Sequence, residues 1–410
     1  MYQEPKVDLS VKYCGLRFDN PFVLSSAPPT DSYEMVKRAF EAGWAGAILK
    51  TTSVESYQVD ISYPIMTSMD YEEKKGVALG NIDNISEWHM DVMEDAVRRL
   101  KEEFPSKIVG LSLWGTTNRN HWEELTKRSV DVGADLVEIS MSCPTDSPFA
   151  RSALMVGQVP DEVKRVLGWV KKYSGRMPVV AKLTSQVTDI TEIVEAVEEA
   201  GGDGVCASDT VHGLLGIDLN TFVPYPNING KSTFCGVSGP VVKPITLRTL
   251  AMIAKSSSIP LAASGGATTW QDAAEYMLVG ASTVQFCTAV MHYGYDIVED
   301  LCEGLAYFLE AKGLDKASGL VGKALPNIVP HSGLAVKKDV VASIDEVICT
   351  KCGMCYYACR DGGHQAYELR EDGLPKPDPE ECYGCGLCVE ICPVECISLV
   401  PRPSGGPLTP

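Results

Sequence analysis

The sequence predicts an α/β fold, a (β/α)8 TIM barrel, followed by a small cysteine-rich domain. Three observations lead to this prediction. Eight short apolar runs alternate with helical patterns between residues 22 and 287, polar residues end most of these runs, and nine of the 15 cysteines lie between 349 and 396. Runs that are apolar throughout indicate strands buried on both faces, as in a parallel sheet covered by helices. A doubly wound open sheet is the alternative.

The eight predicted strands are five to seven residues long, and amphipathic segments follow most of them. The strands are FVLSS (22–26), GAILKT (46–51), KIVGLSL (107–113), ADLVEIS (134–140), PVVAKLT (178–184), DGVCAS (203–208), PLAAS (260–264) and STVQFC (282–287). The helical patterns include 31–43, 120–133, 161–173, 190–202, 244–255 and 270–280. We place the barrel in residues 1–335 and the second domain in 336–410.

Functional residues of a barrel lie at the carboxyl ends of its strands. Lys50 and Lys182 occupy two of these ends, where a lysine either points into the mouth or forms a surface ion pair. Gly265 and Gly266 follow the seventh strand, and Cys287 and Thr288 end the eighth. We expect a phosphate group at these two ends, where barrels often bind one. The alternative for the glycines is a tight turn that needs positive φ.

The second domain contains two cysteine runs with the spacing C-x2-C-x2-C-x3-C. In two-cluster ferredoxins the fourth cysteine of each run binds the other cluster. Zinc sites use four ligands in two pairs, so two runs of four favour iron–sulfur clusters. We therefore predict two [4Fe–4S] clusters in a ferredoxin-like domain. The first cluster is assigned Cys349, Cys352, Cys355 and Cys392, and the second Cys382, Cys385, Cys388 and Cys359.

Charge and hydropathy exclude several classes of protein. The net charge of −18 argues against binding to nucleic acid or to anionic membranes. No stretch of about 18 apolar residues is present, and the amino terminus lacks the pattern of a signal peptide. We therefore expect a cytoplasmic protein.

Iron–sulfur clusters carry single electrons, whereas organic substrates gain or lose two, so a converter is needed between them. A flavin is the usual converter, and a barrel mouth with a phosphate site and strand-end lysines suits FMN. No G-x-G-x-x-G sequence is present, so we expect no nicotinamide site of the Rossmann type on this chain. Electrons from NADH would then need a partner polypeptide.

The order of motifs resembles the pyrimidine-reducing half of dihydropyrimidine dehydrogenase, in its form as a separate bacterial subunit. Class 1 dihydroorotate dehydrogenases are wider relatives that share the FMN barrel but not the cluster tail. The motifs are NPFVLSSAPPT (20–30), GAILKT (46–51), EISMSCP (138–144), VGQVPDEV (156–163), AKLT (181–184), CGVSGPVVKPITLR (235–248) and SGG (264–266). The resemblance extends over essentially the whole chain.

The resemblance implies a hetero-oligomer in which a flavoprotein subunit, with FAD and iron–sulfur clusters, oxidises NADH. Electrons would pass through the clusters to FMN, and hydride would reach the C5–C6 bond of uracil or thymine, a reaction of pyrimidine catabolism. The residues implied to contact FMN are Ser26, Lys50, Asn118, Lys182, Gly236, Ser238, Gly265, Gly266, Cys287 and Thr288. The residues implied to contact the substrate are Asn118, Ser140, Asp209 and Thr210.

Three positions depart from the family pattern. Ser140 and Asp209 stand where relatives have asparagine, and Val156 stands where many have a catalytic cysteine. An ionised aspartate only accepts hydrogen bonds, and valine transfers no proton. Ser152 or Asp146 is then the candidate acid of this loop, with bound water, or no acid on the loop, as the alternatives. These departures leave two further hypotheses: another unsaturated cyclic substrate, or an electron-transfer subunit without catalysis.

Overall fold

The computed structural model describes residues 6–71, 74–142, 155–334 and 339–402, which form two units with separate hydrophobic cores. Unit one spans Met1–Ile328 and unit two spans Val329–Pro410. The predicted domain boundary between 335 and 336 falls in a segment outside the described residues.

The strands of unit one belong to a two-stranded hairpin, a closed barrel and a second, four-stranded sheet. They are β1 (Val11–Tyr13), β2 (Leu16–Phe18), β3 (Phe22–Leu24), β4 (Gly46–Thr52), β5 (Met66–Tyr71), β6 (Lys74–Asn81), β7 (Ile108–Leu113), β8 (Leu136–Ser140), β9 (Val179–Leu183), β10 (Gly204–Ala207), β11 (Val211–Gly213), β12 (Cys235–Ser238), β13 (Leu261–Ser264) and β14 (Thr283–Phe286).

The helices of unit one pack around the barrel with their apolar faces buried. They are α1 (Tyr33–Ala42), α2 (Met90–Glu103), α3 (Arg119–Val132), α4 (Pro160–Lys171), α5 (Ile190–Glu199), α6 (Lys243–Ser256), α7 (Trp270–Leu278), α8 (Thr288–Tyr293) and α9 (Ile297–Ala311). Several begin at side-chain caps of the expected type, such as Ser32 before α1 and Thr269 before α7.

The closed barrel confirms the predicted fold class. Its order is β3, β4, β7, β8, β9, β10, β13 and β14, and β14 pairs again with β3. Neighbouring strands are all parallel, and each predicted apolar run supplies one of them. All residues of these strands are buried, as expected when side chains fill the barrel interior on one face and contact helices on the other.

The second sheet was not predicted. It is antiparallel, with the order β11, β12, β6, β5, and it is built from the segments that follow β4 and β10. Gly236 of β12 pairs with Asn81 of β6, so segments far apart in the sequence must meet before either strand is stabilised. The hydrophobic pattern of a short segment therefore says little about which distant strand it pairs with. The sheet supplies one wall of the barrel mouth.

Unit two repeats one local arrangement. Its strands are β15 (Val340–Ile344), β16 (Tyr367–Leu369), β17 (Pro375–Pro377) and β18 (Ile397–Pro401), and its helices are α10 (Met354–Gly362) and α11 (Leu387–Glu390). Strands β15 and β18 pair, as do β16 and β17. Each helix starts after a glycine with φ near +80°, Gly353 at 74° and Gly386 at 86°, at equivalent positions of the two cysteine runs. The two runs therefore fold alike.

Candidate active site and cluster sites

A cavity of about 1130 Å³, including space open to solvent, lies at the carboxyl ends of the barrel strands. Its floor consists of strand ends, and the second sheet contributes Leu79, Asn81 and His212. The structure thus brings together most of the residues singled out from the sequence. Those that line the cavity are Ser26, Lys50, Ser140, Lys182, Asp209, Thr210, Gly236, Ser238, Gly265, Gly266, Cys287 and Thr288.

The glycine turn after β13 presents bare backbone to this cavity. Gly265 and Gly266 have φ angles of +102° and +88°, values that favour glycine. A Cβ on Gly266 would lie 2.6 Å from the backbone nitrogen of Lys243, so a side chain has no room there. Across the cavity the Ser238 and Thr288 hydroxyl groups form a hydrogen bond of 2.9 Å. These small and hydroxyl groups suit a phosphate.

Lys182 belongs to a buried polar network under the cavity. Its Nζ donates to Ser25 Oγ at 3.1 Å and lies 3.5 Å from Glu138 Oε1. The other Glu138 oxygen accepts a hydrogen bond of 2.7 Å from Gln285 Nε2. Burial lowers the pKa of Lys182, but the charges of Glu138 and Asp209 outweigh burial and raise that pKa above its ordinary value. A fixed positive charge therefore faces the cavity.

Lys50, the second strand-end lysine, pairs with two aspartates that the sequence analysis missed. Its Nζ donates to Asp83, whose side chain is buried, and lies 4.0 Å from Asp31 Oδ2. Burial raises the pKa of Asp31, and the hydrogen bond from Ser86 and the charge of Lys50 oppose that shift. The mouth therefore holds paired charges rather than an isolated lysine.

The predicted substrate residues divide into two groups. Ser140, Asp209 and Thr210 line the cavity, whereas Asn118 does not. Asn118 is exposed and precedes α3, where its Oδ1 accepts a 3.0 Å hydrogen bond from the backbone of Asn120. Its side chain serves as a helix cap here. This placement gives no support to the expectation that Asn118 contacts FMN or substrate.

Asp209 is held by donors within the chain. One carboxylate oxygen accepts a hydrogen bond from the Ser142 hydroxyl, and the other accepts a 2.8 Å hydrogen bond from the backbone of Thr210. The carboxylate is thereby oriented at the cavity wall, and it presents only acceptor sites to a bound molecule.

Cys287 lines the same cavity as a thiol. Burial raises its pKa to about 12, although the positive charge of Lys182 opposes the shift. At neutral pH the side chain is therefore uncharged and weakly nucleophilic.

The candidate acids Ser152 and Asp146 lie outside the described residues. Their roles stay predictions. Val156 is described, in a short 3-10 turn (Val156–Gln158), and it does not line the mouth.

Unit two contains two smaller cavities, each surrounded by four cysteines of the predicted runs. One has about 300 Å³ of space and is lined by Cys349, Cys352, Cys355 and Cys392. The other has about 330 Å³ and is lined by Cys359, Cys382, Cys385 and Cys388. The fourth cysteine of each run thus faces the cavity of the other run, which is the crossed arrangement expected of a two-cluster domain.

Backbone amides donate to several of these sulfurs, as is common around cluster ligands. Ala366 N lies 3.3 Å from Cys359 Sγ, and Ala342 N lies 3.4 Å from Cys382 Sγ. Cys396, outside the two runs, lines the first cavity with its Sγ 3.5 Å from that of Cys392. Its side chain is buried.

Several polar residues of the mouth escaped prediction because the sequence signal for them is weak. Glu138 and Gln285 interrupt apolar strands, and an interruption of this kind is the only signal they give. Asp83 lies in the polar stretch after β6, far in sequence from Lys50. Only the folded chain brings these two residues together.

The family assignment rests on sequence comparison. The profile of the family described as dihydroorotate dehydrogenase matches residues 8–309 of this chain. The chain belongs to the dihydroorotate dehydrogenase family. A second profile, described as a 4Fe-4S dicluster domain, matches residues 342–399, so this family member carries a cluster domain after its barrel.

Three relatives illustrate the likeness. The chain is 39% identical to the NAD-dependent dihydropyrimidine dehydrogenase subunit PreA of Escherichia coli K12, over 96% of this chain and 95% of the relative. It is 36% identical to chloroplastic dihydropyrimidine dehydrogenase (NADP(+)) of Arabidopsis thaliana, over 82% and 81%. It is 34% identical to the catalytic subunit of dihydroorotate dehydrogenase B (NAD(+)) of Pyrococcus abyssi, over 77% and 99%.

These findings make the chain a pyrimidine-type oxidoreductase that acts on CH–CH bonds, with FMN and [4Fe–4S] clusters as cofactors. Its described residues include no helix long and apolar enough to cross a bilayer. The sites fit these cofactors, since bare glycine backbone and a buried cation face the mouth and four thiols surround each smaller cavity. FMN, when bound, exchanges electrons with one-electron carriers and with two-electron substrates.

Different residues of the mouth would bind the phosphate, supply positive charge and orient the substrate. Gly265, Gly266 and Thr288 would hold the phosphate, because they offer backbone and hydroxyl donors without bulk. Lys182, whose pKa is raised, would place a positive charge beside the reduced flavin. Asp209 would offer acceptors to donor groups of a substrate.

Proposed function

We propose that this chain is the substrate-reducing subunit of a two-subunit enzyme, acting at the C5–C6 bond of uracil or thymine. Reduction of that bond adds one hydride equivalent and one proton, and NADH would supply the electrons through a separate flavoprotein. The observation that carries the proposal is the joining, in one chain, of a charged barrel mouth with two four-cysteine cavities. The domains proposed to hold them are 1–335 and 336–410.

Several features support a partner subunit. The chain has no G-x-G-x-x-G sequence, the motif of a Rossmann-type nicotinamide site. We therefore propose that NADH is oxidised on a second polypeptide, which passes the electrons to this chain. The printed name of the E. coli relative describes it as a subunit of an NAD-dependent enzyme. The free cysteines outside the cluster runs, such as Cys206 and Cys287, suit a reducing compartment, and we propose the cytoplasm.

A reoxidation experiment tests the proposal. The full chain is reconstituted with FMN, iron and sulfide, reduced without oxygen, and mixed with uracil, thymine or other cyclic conjugated acceptors. We expect the reduced-flavin absorbance to be lost fastest with a pyrimidine. No reoxidation by either pyrimidine contradicts the proposed substrate, and none by any acceptor favours an electron-transfer subunit without catalysis.

A Cys388→Ser variant is the matched control for this experiment. If the reaction occurs in the barrel mouth, the variant should still transfer electrons from flavin to substrate once its flavin is reduced directly. It should fail only when electrons must enter through the clusters from the NADH-oxidising flavoprotein.

A second candidate keeps the same electron path but changes the substrate to another unsaturated cyclic molecule. The observation that favours it is Asp209, which presents only acceptors at the cavity wall. An Asp209→Asn variant separates the two candidates. A donor-rich substrate should lose turnover in this variant, whereas turnover of a pyrimidine imide should be kept or increased, because an amide both donates and accepts.

A further inference from the structure

A second cavity in unit one is distinct from the barrel mouth and lies between α3 and α4. It has about 640 Å³ of space, including space open to solvent. None of the described residues lines both this cavity and the mouth. Its lining residues are Tyr57, Trp114, Gly115, Thr116, Thr117, Trp122, Val156, Glu162, Arg165, Val166 and Trp169.

The walls of this cavity are aromatic. Trp114, Trp122 and Trp169 account for three of the six tryptophans of the chain, and they come from three different segments. The ring of Tyr57 lies 4.6 Å from that of Trp114, measured between centroids. A Cβ on Gly115 would lie 2.7 Å from the Trp122 ring, so this glycine allows the ring to pack on the backbone. Such walls suit a flat apolar molecule.

The indole N–H of Trp114, in the wall of the cavity, has no hydrogen-bond partner among the described residues. Trp114 is only 6% exposed, and its Nε1 donates to no acceptor in the described part of the chain. The indole of Trp122 differs, since its Nε1 donates to Thr116 O at 2.9 Å. Buried tryptophan N–H groups normally find an acceptor, because an unpaired buried donor costs free energy. An acceptor atom of a ligand would meet this need.

The charged groups of the wall neutralise each other. Arg165 and Glu162, both on α4, form an ion pair, and the Arg165 guanidinium lies 5.7 Å from the centroid of the Trp169 ring. The described lining residues thus carry no net charge that would attract an ionic ligand. An uncharged ligand is favoured.

We propose that this cavity binds a small, uncharged, planar heteroaromatic molecule whose ring nitrogen or carbonyl oxygen accepts a hydrogen bond from Trp114 Nε1. The ring of the ligand would pack against Trp114 and Trp169. The site is next to the active site in the chain, because Ser112, two residues before Trp114, forms a 2.9 Å hydrogen bond with Thr51, which lines the mouth. The proposal does not depend on the substrate of the mouth.

Two probes of similar shape test the proposal by calorimetric titration of the full chain loaded with its cofactors. Quinoline carries a ring nitrogen that accepts a hydrogen bond, and naphthalene carries none. We expect quinoline to bind saturably at one site per chain. Its affinity should be a few-fold to about tenfold higher than that of naphthalene, which is the difference that one hydrogen bond makes.

Three variants locate the site. Trp114→Phe keeps a ring but removes the donor, and it should reduce quinoline affinity to that of naphthalene. Thr117→Trp, at an exposed position of the rim, should fill the opening and weaken binding of both probes. Trp88→Phe is the matched control, because Trp88 is 52% exposed and lines neither cavity, so it should change neither affinity.

Two results would overturn the proposal. One is the absence of saturable quinoline binding to the wild-type chain. The other is quinoline affinity that is unchanged in Trp114→Phe, whether or not Thr117→Trp weakens it, since the proposed hydrogen bond then does not form. Urea unfolding of each variant shows whether a lost affinity reflects the site or the fold.

Discussion

The barrel mouth and the cysteine cavities of unit two are built by opposite means. The mouth is a polar chamber in which buried charges are paired, Lys182 with Glu138 of the neighbouring strand and Lys50 with Asp83 of the segment after β6. The cysteine cavities are lined by sulfurs from two short and similar segments and by mostly apolar residues from elsewhere in unit two, such as Ala342 and Ile344. In the mouth, therefore, a lost side chain leaves an uncompensated charge, whereas in unit two it leaves a ligand position empty.

This difference predicts different consequences for single substitutions. Changes in the mouth should alter the stability of the barrel even without cofactor, because charge pairing is a property of the protein alone. Changes among the cysteines should mainly alter what unit two can bind. The four predictions below separate the two regions, and they run from the largest expected effect to the smallest.

The largest effect is expected from Cys388→Ser. This variant should lose the second cluster, and with it about half of the iron, because serine is a poor substitute for a thiolate ligand. Iron analysis and electron paramagnetic resonance of the reduced protein measure the loss. Cys396→Ser is the matched control, since Cys396 is buried beside Cys392 but outside the two runs. Equal iron loss in both variants would make Cys396 a ligand.

The second prediction concerns the thiol of Cys287. Its raised pKa of about 12 means that little thiolate is present at pH 8. Alkylation by iodoacetamide should therefore be about a thousandfold slower than in the unfolded chain, where the thiol pKa is about 8.5. In the protein without FMN, the rate should increase about tenfold per pH unit from pH 8 to pH 11. Mass spectrometry of the peptide measures it, and a plateau near pH 9 would contradict the prediction.

The third prediction is that Lys182→Met destabilises the barrel by about 3–5 kcal/mol, because Glu138 is left as a buried charge that keeps its hydrogen bond from Gln285 but loses its cation. Urea unfolding of the protein without FMN measures the change. The double variant Lys182→Met with Glu138→Gln should recover most of the stability, since it removes both charges. No recovery would mean that packing, not charge pairing, explains the loss.

The smallest effect is expected from Asp83→Asn. Lys50 loses its direct partner but keeps Asp31, whose Oδ2 lies 4.0 Å from its Nζ. We expect a loss of about 1–3 kcal/mol, smaller than that of Lys182→Met. Asp95→Asn is the control, because Asp95 forms an exposed ion pair with Arg98 that contributes little. A loss larger than that of Lys182→Met would reverse the order proposed for the two lysines.

The sequence alone determined the barrel strands and the cysteine groups. Eight apolar runs predicted eight strands, because strands buried on both faces have a continuous apolar pattern that is local to the chain. The cysteine spacing predicted the two sets that line the cavities, because three ligands of each set are local in the sequence and two-cluster ferredoxins exchange the fourth cysteine between runs. Ser26, Lys50 and Lys182 were found in the same way, since parallel strand ends of a barrel meet at one face.

Only the tertiary structure decided the partners of these residues. Asp83 reaches Lys50, and Glu138 meets Gln285, across distances of 33 and 147 residues in the chain. Asn118 shows the converse, because a residue expected in the mouth is used as the cap of α3. The pairing of β12 with β6 and the aromatic cavity around Trp114 are equally non-local. Such contacts depend on loop closure and packing of distant segments, which no short sequence pattern encodes.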